Sequence, residues 1–138
     1  MRLFIAAFSI SAFVFPYSCS VDEPVKNHKD LGQSMMDMRI YQENLGDEIR
    51  AGNLENGRWL LEGIDSTIDI VAQTVKEHHR MKRPFSYYKE KWLDEPLSNL
   101  KHSFDNNDTA NARKHYVILI DRCNKCHIDL EVEKHVKY

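Results

Sequence analysis

The sequence predicts an all-α fold: an antiparallel up-down-up-down four-helix bundle. Three observations predict it. Apolar residues recur at three- and four-residue spacing in four separate stretches. Short segments rich in capping and turn residues join those stretches. No stretch alternates apolar and polar residues as a half-buried strand does, and no repeat or low-complexity segment interrupts the pattern.

The first helix is expected from Asp30 to about Gly52, with Leu31, Met35, Met38, Leu45 and Ile49 on its inner face, Gln42 in the remaining slot and Tyr41 alongside. Gly52 suits its C-terminal end and Asn53 can cap the next helix. That second helix is expected to bury Leu60, Leu61, Ile64, Ile68, Val71 and Val75 and to run down to His78. Gly57 and Gly63 weaken it locally, and close approach of a neighbouring helix accounts for both. A basic connection follows, His78-His79-Arg80-Met81-Lys82-Arg83-Pro84, with Pro84 placed for the first turn of the third helix. The third helix is expected from about Phe85 to Phe104, with Phe85, Tyr88, Trp92, Leu93, Leu97 and Leu100 inside and Pro96 kinking it. Asn106-Asn107-Asp108 is a turn, and Asp108 or Thr109 caps the last helix, whose inner face carries Ala112, Tyr116, Leu119, Ile120, Cys123, His127 and Leu130.

At 138 residues and a formal net charge of −2, the chain is sized for one domain and lacks the large basic face that nucleic-acid binding requires. Residues 1–18 read as a secretory signal peptide, with Arg2 ahead of an apolar run from Leu3 to Phe15 that is too short to span a bilayer. Residues 19–29 are polar, contain Pro24 and read as a disordered tether; residues 30–138 form the helical domain. Cys19 follows the apolar run and Ser18 directly, and Phe15-Pro16-Tyr17-Ser18-Cys19 resembles a bacterial lipoprotein processing box. That reading makes Cys19 a lipidation site, with attachment to a membrane surface through stacked acyl chains, against ordinary cleavage nearby.

Two of the three cysteines lie in Cys123-Asn124-Lys125-Cys126-His127. Cys-x-x-Cys-His is the attachment signature of a c-type haem. On a helix, side chains three and four apart share one face, so both thiols and the imidazole converge. The thiols of Cys123 and Cys126 add across the porphyrin vinyl groups as thioethers, and the His127 imidazole is the proximal iron ligand of one covalent haem. Two other readings fit the residues less well. A thioredoxin-like dithiol follows a strand in a βαβ unit, whereas the residues before Cys123 read as helix. A zinc site needs about four ligands, and no second Cys-x-x-Cys or spaced histidine pair completes one.

In the expected bundle the haem sits at the C-terminal end of the last helix, beside the start of the first helix, the end of the second and the start of the third. Met35, Met38, Val71, Val75, Phe85, Tyr88 and Trp92 are then placed to wall the porphyrin, and Arg80, Lys82 and Arg83 lie near its propionates. At a rise of about 1.5 Å per residue His115 is about 18 Å from His127 along the helix, and His102 is likewise at the far end. For the distal position Met35 is the first choice and Met38 the second, with His28, His78, His79 or an open site as alternatives.

A chain with an export leader, four helices and Cys123, Cys126 and His127 in the last of them resembles the cytochrome c′ family and its low-spin, methionine-ligated relatives. The resemblance covers residues 30–134 as an architecture, and only the three motif residues match one by one; Glu131 stands where the family often has a basic residue. It implies a periplasmic haem protein rather than an enzyme. Its activity would be one-electron transfer with redox partner proteins through six-coordinate iron, or binding of a small gas such as nitric oxide at five-coordinate iron. A homodimer stays open.

Overall fold

The computed structural model describes residues 30–133 together with Val136 and Lys137. Leu31–Ala51 forms α1 and Leu54–Thr74 forms α2. Phe85–Tyr88 (α3), a π-helical turn over Lys89–Leu93 and Asp94–Asp105 (α4) run on as a third long helix, and Thr109–Asp129 forms α5. There is no strand among the described residues. α1 packs on α2, α2 on α3 and α4, the π turn and α4 on α5, and α5 returns to α1, an arrangement consistent with a four-helix bundle.

The first, second and last of the long helices start where a short polar side chain takes up free amides, while the third starts after Pro84 without such a cap. Asp30 accepts from the Gly32 amide at 2.9 Å, Asn53 from Asn56 at 3.3 Å and Asp108 from Asn111 at 3.0 Å. Three helices also end alike. Gly52, Asn107 and Glu131 adopt left-handed backbone at φ 78°, 51° and 54°. The next amide then reaches back five residues: Asn53 to the Glu48 carbonyl, Asp108 to Ser103 and Val132 to His127, at 2.8–2.9 Å. This is the Schellman closure, which pairs carbonyls that the helix itself cannot.

α2 ends differently and sooner than its apolar spacing suggests, at Thr74 rather than His78. Val75 is extended, and its carbonyl accepts from the Phe85 amide at 3.3 Å, which ties the start of α3 to the end of α2. The last carbonyls of α2 are covered by side chains instead, Thr74 Oγ1 donating to Ile70 and Lys76 Nζ to Ala72. In the third helix Pro96 is accommodated without a break. Lacking an N–H, it sits in the first turn of α4, and the irregularity is the π turn before it, where Asp94 N–H donates five residues back to Lys89.

The core is built on Leu45, Ile49, Ile68, Val71, Leu100, Phe104, Leu119 and Ile120, all but fully buried. Glycines admit the large rings. A Cβ on Gly57 would lie 3.0 Å from the Phe104 ring, and one on Gly63 would lie 3.0 Å from the Tyr41 ring. Both therefore mark the close approaches that the sequence suggests. Gly46, unremarked in the sequence, is the tightest: its Cβ would stand 2.6 Å from the Tyr116 hydroxyl. That hydroxyl donates to the Gln42 carbonyl at 2.9 Å, while Gln42 Nε2 donates to the hydroxyl and to the Lys137 carbonyl, so the polar residue in the α1 stripe is fully partnered.

Gly46→Ala gains helix propensity yet should lose about 1–3 kcal/mol overall, because Tyr116 must give up its place. Gly32→Ala, whose nearest neighbours are 3.6 Å or more away, should be neutral or gain up to about 1 kcal/mol. Urea denaturation of both variants checks the contrast, and equal effects would refute it.

Candidate functional site

α5 carries Cys123, Cys126 and His127 in its last two turns, inside one uninterrupted helix. Lys125 pairs with Asp121 at 2.8 Å one turn back, which supports the helix across the motif. Cys126 is buried in a small cluster with Tyr88 and Leu130, against which Met81, Trp92 and Val132 pack. Cys123 is half-buried against the main core, as are Met35, Met38, Tyr41, Val75, Met81, Trp92 and Val136. Met81 and Trp92 belong to both groups and join the surroundings of the two thiols. His127 is half-buried, and its carbonyl is the one that closes the end of α5.

The expected walls divide. Phe85 is buried in the main core, and Tyr88 is buried beside Cys126, its hydroxyl accepting from the Lys82 amide at 3.2 Å. Val71, at 1% exposure, belongs to the deep core rather than to a site wall. Met35 and Met38 are half-buried and packed on the same core as Cys123, whereas Met36 is 64% exposed, pointing away as its spacing predicts. Met81 has no place in the helical stripes, so periodicity gave no sign of it; only its position in the basic connection does. The histidines expected to be remote are engaged elsewhere. His115 Nδ1 lies 2.8 Å from Ser103 Oγ, and His102 Nε2 lies 3.0 Å from Asn106 Nδ2. His78 is half-buried and stacks near His79 with centroids 4.1 Å apart. Cys19 and His28 lie outside the described residues.

The basic connection closes on the end of α5. Arg80 Nη1 donates to the Glu131 carbonyl, and Met81 N–H donates to the His78 carbonyl at 2.8 Å. From the other side the C-terminal tail is held by the motif itself: Asn124 accepts from the Val136 amide at 2.7 Å and donates to its carbonyl at 3.0 Å. An open groove of about 410 Å³ lies at the start of α1 and the end of α2, lined by residues including Leu31, Val75 and His78 and taking none from α5.

Both thiols are held neutral. Burial, then the neighbouring Cys126, pushes the Cys123 thiol up to about 12. Burial, then Asp129, pushes Cys126 up to about 11, against the opposing pull of Lys91. Their place near the C-terminal, negative end of α5 acts in the same direction. A redox dithiol depends on the reverse, a lowered thiol pKa at a helix N-terminus or beside a cation. Asp129 behaves oppositely: hydrogen bonds from Lys91 at 2.9 Å and Trp92 Nε1 at 3.0 Å hold its carboxyl below the usual carboxylate range. Among the described residues no group of three or more His, Cys, Asp or Glu is disposed to hold a metal ion.

Compared with protein-family models, characterised proteins and solved structures, the chain matches none.

Two outcomes follow from the local physics. Glu131 holds a left-handed conformation that costs an L residue roughly 1–2 kcal/mol and glycine almost nothing. Glu131→Gly should therefore raise stability by about 1 kcal/mol in urea titration while Glu131→Ala does not. A gain with alanine as large as with glycine would refute the backbone explanation. The raised thiol pKa values also fix a sign. Unfolded cysteines ionise near about 8.5 and folded ones higher, so the stabilising effect is complete below that value and drains away as pH rises through it. With both thiols free, stability should fall by at least about 1 kcal/mol between about pH 8 and about pH 10. The fall should be shallower in the Cys123→Ala, Cys126→Ala variant; identical slopes would refute the burial of the thiols.

Proposed function

We propose that this chain is an exported monohaem c-type cytochrome, an electron carrier rather than an enzyme. In this reading its four helices run antiparallel, up-down-up-down, with the haem at the C-terminal end of α5. The observation that carries the reading is the Cys-x-x-Cys-His spacing inside one unbroken helix, which sets Cys123, Cys126 and His127 along one face with both cysteines packed against apolar neighbours. The donor set fits one haem: two thiols spaced for its two vinyl groups and an imidazole one position further for the iron. Bound there, the haem supplies a one-electron iron couple.

The chain's residues do the rest. Cys123 and Cys126 would hold the group as thioethers, and His127 would bind its iron. Met35 would supply the second protein ligand, with Met38 as its alternative, since both pack against the same core as Cys123. Tyr88, Trp92, Met81 and Phe85 exclude water from the thiol side. Arg80, Lys82 and Arg83 would supply cations for the propionates; the Arg80 bond to Glu131 supports this by holding the connection against the end of α5. Antiparallel order is supported by Arg113, near the start of α5, whose guanidinium donates to the Ile49 and Arg50 carbonyls at the end of α1 at 3.3 Å and 2.9 Å. The resemblance to the cytochrome c′ family and the lipid anchor at Cys19 belong to the same proposal, which puts the protein on the periplasmic side of a bacterial membrane.

Produced in a host that matures c-type haem, the wild type should give a haem-stained band on a denaturing gel, and Cys123→Ala with Cys126→Ala should abolish it. An unstained wild type overturns the proposal. Visible spectra then decide the distal ligand. A low-spin wild type that becomes high-spin and binds carbon monoxide in Met35→Ala supports electron transfer through Met35. A wild type already high-spin and open to carbon monoxide replaces that reading with a five-coordinate binder of small gases.

A further inference from the structure

Charge is unevenly divided along this chain. Residues 30–74, which make α1 and α2, carry three basic side chains against nine acidic ones. Residues 76–91 carry six basic against two acidic. The basic stretch is the part folded over the end of α5, where Arg80 meets Glu131 and Tyr88 meets Cys126. A chain with a net charge of −2 thus brings its most basic stretch to its motif end, beside Asp129 and Glu131 of the last helix and its exit.

The cations there are mounted on aromatic rings. Lys91 Nζ stands 4.5 Å above the Trp92 ring and 6.0 Å from that of Tyr87, Arg83 lies 6.0 Å over Tyr87, and Arg122 reaches the Trp92 ring from α5 at 5.9 Å. Such contacts hold long side chains in place before any partner arrives, which lowers the ordering cost of binding. Lys82, Arg83 and Arg122 form no ion pair among the described residues. Tyr87 is 45% exposed. Trp, Tyr and Arg together are the composition of interface hot spots. Trp92 also touches the groups around both cysteines, so this face backs directly onto the motif.

We propose that Tyr87 and Trp92, with Lys82, Arg83, Lys91 and Arg122, form the docking surface for an acidic partner protein. As the place where a redox partner is received, it rests on the function proposed above. A protein is favoured over an anionic bilayer because the face is patterned: Asp129 is fixed at its centre by Trp92 and Lys91, and a uniform sheet of anionic headgroups would meet that carboxylate unfavourably. Steering by such a face raises the rate of encounter and fades as salt screens it.

The test uses the full-length protein and poly-L-glutamate as the acidic probe. Binding should weaken steeply between about 20 mM and about 200 mM salt. In amide and indole NMR spectra of the wild type, the Trp92 Nε1–H signal should move and that of Trp59, which meets Tyr41 edge to face with centroids 6.1 Å apart, should not. Arg83→Glu with Arg122→Glu should weaken binding by about tenfold or more, against less than about twofold for Arg39→Glu with Lys114→Glu, which changes net charge equally. No binding, equal weakening by both pairs, or tighter binding to phosphatidylglycerol vesicles than to the polymer would each overturn the proposal. Because the probe needs no haem, the two readings fail separately: docking without covalent haem removes the cytochrome alone, and covalent haem without docking removes this surface alone.

Discussion

The site exists because the buried stripe of α5 does not stop at the edge of the core. Ala112, Tyr116, Leu119 and Ile120 are buried against the other helices, and the same face continues through half-buried Cys123 to buried Cys126 and Leu130. Burying apolar surface at about 25 cal/mol per Å² drives that face inward, and the helix carries the motif with it. Enclosure of the thiols follows from the packing of the helix and not from any device built around the cysteines. The same packing explains why their chemistry is that of neutral thiols, since a thiolate would have to be desolvated at the negative end of a helix.

Features written in local chemistry were legible in the sequence. Asn53 and Asp108 cap the helices they should, Asp30 stands where the first helix was expected to begin, and Gly52 closes α1, because a helix end depends on a handful of neighbouring atoms. The motif was legible for the same reason. What escaped depends on partners distant in the chain. The end of α2 at Thr74 is set by an amide of Phe85, and nothing in the apolar spacing of α2 foretells that bond. Pro96 signals an irregularity, but its resolution as a π turn over Lys89–Leu93 depends on how that segment lies against α5. Gly46 reads as a neutral residue until Tyr116 is known to sit over it. Glu131 in a position suited to glycine and Met81 between two cations each contradict a local expectation, and both are used where α5 meets the basic connection.

The division of charge and the division of packing coincide. The α1–α2 pair is acidic and closes around tight glycine contacts, whereas the connection from α2 to α3 is basic and is held by one hydrogen bond to the end of α5 and one to the Tyr88 hydroxyl of α3. Under the docking proposed above, stability and recognition are carried by different parts of the molecule. Substitution of the exposed cations over Tyr87 and Trp92 can alter encounter with a partner while leaving the core untouched.

In a Cys-x-x-Cys-His motif the two intervening positions are free as far as attachment is concerned, yet here the first of them is committed. The Asn124 amide holds both backbone groups of Val136, and Gln42 holds the carbonyl of Lys137, so Val136 and Lys137 are laced to the middle of the motif and to the helix opposite. A purification tag or fusion partner joined close after Lys137 would be spliced directly onto that lacing. Handles for this protein belong elsewhere, because whatever pulls on the tail pulls on the residue between the cysteines.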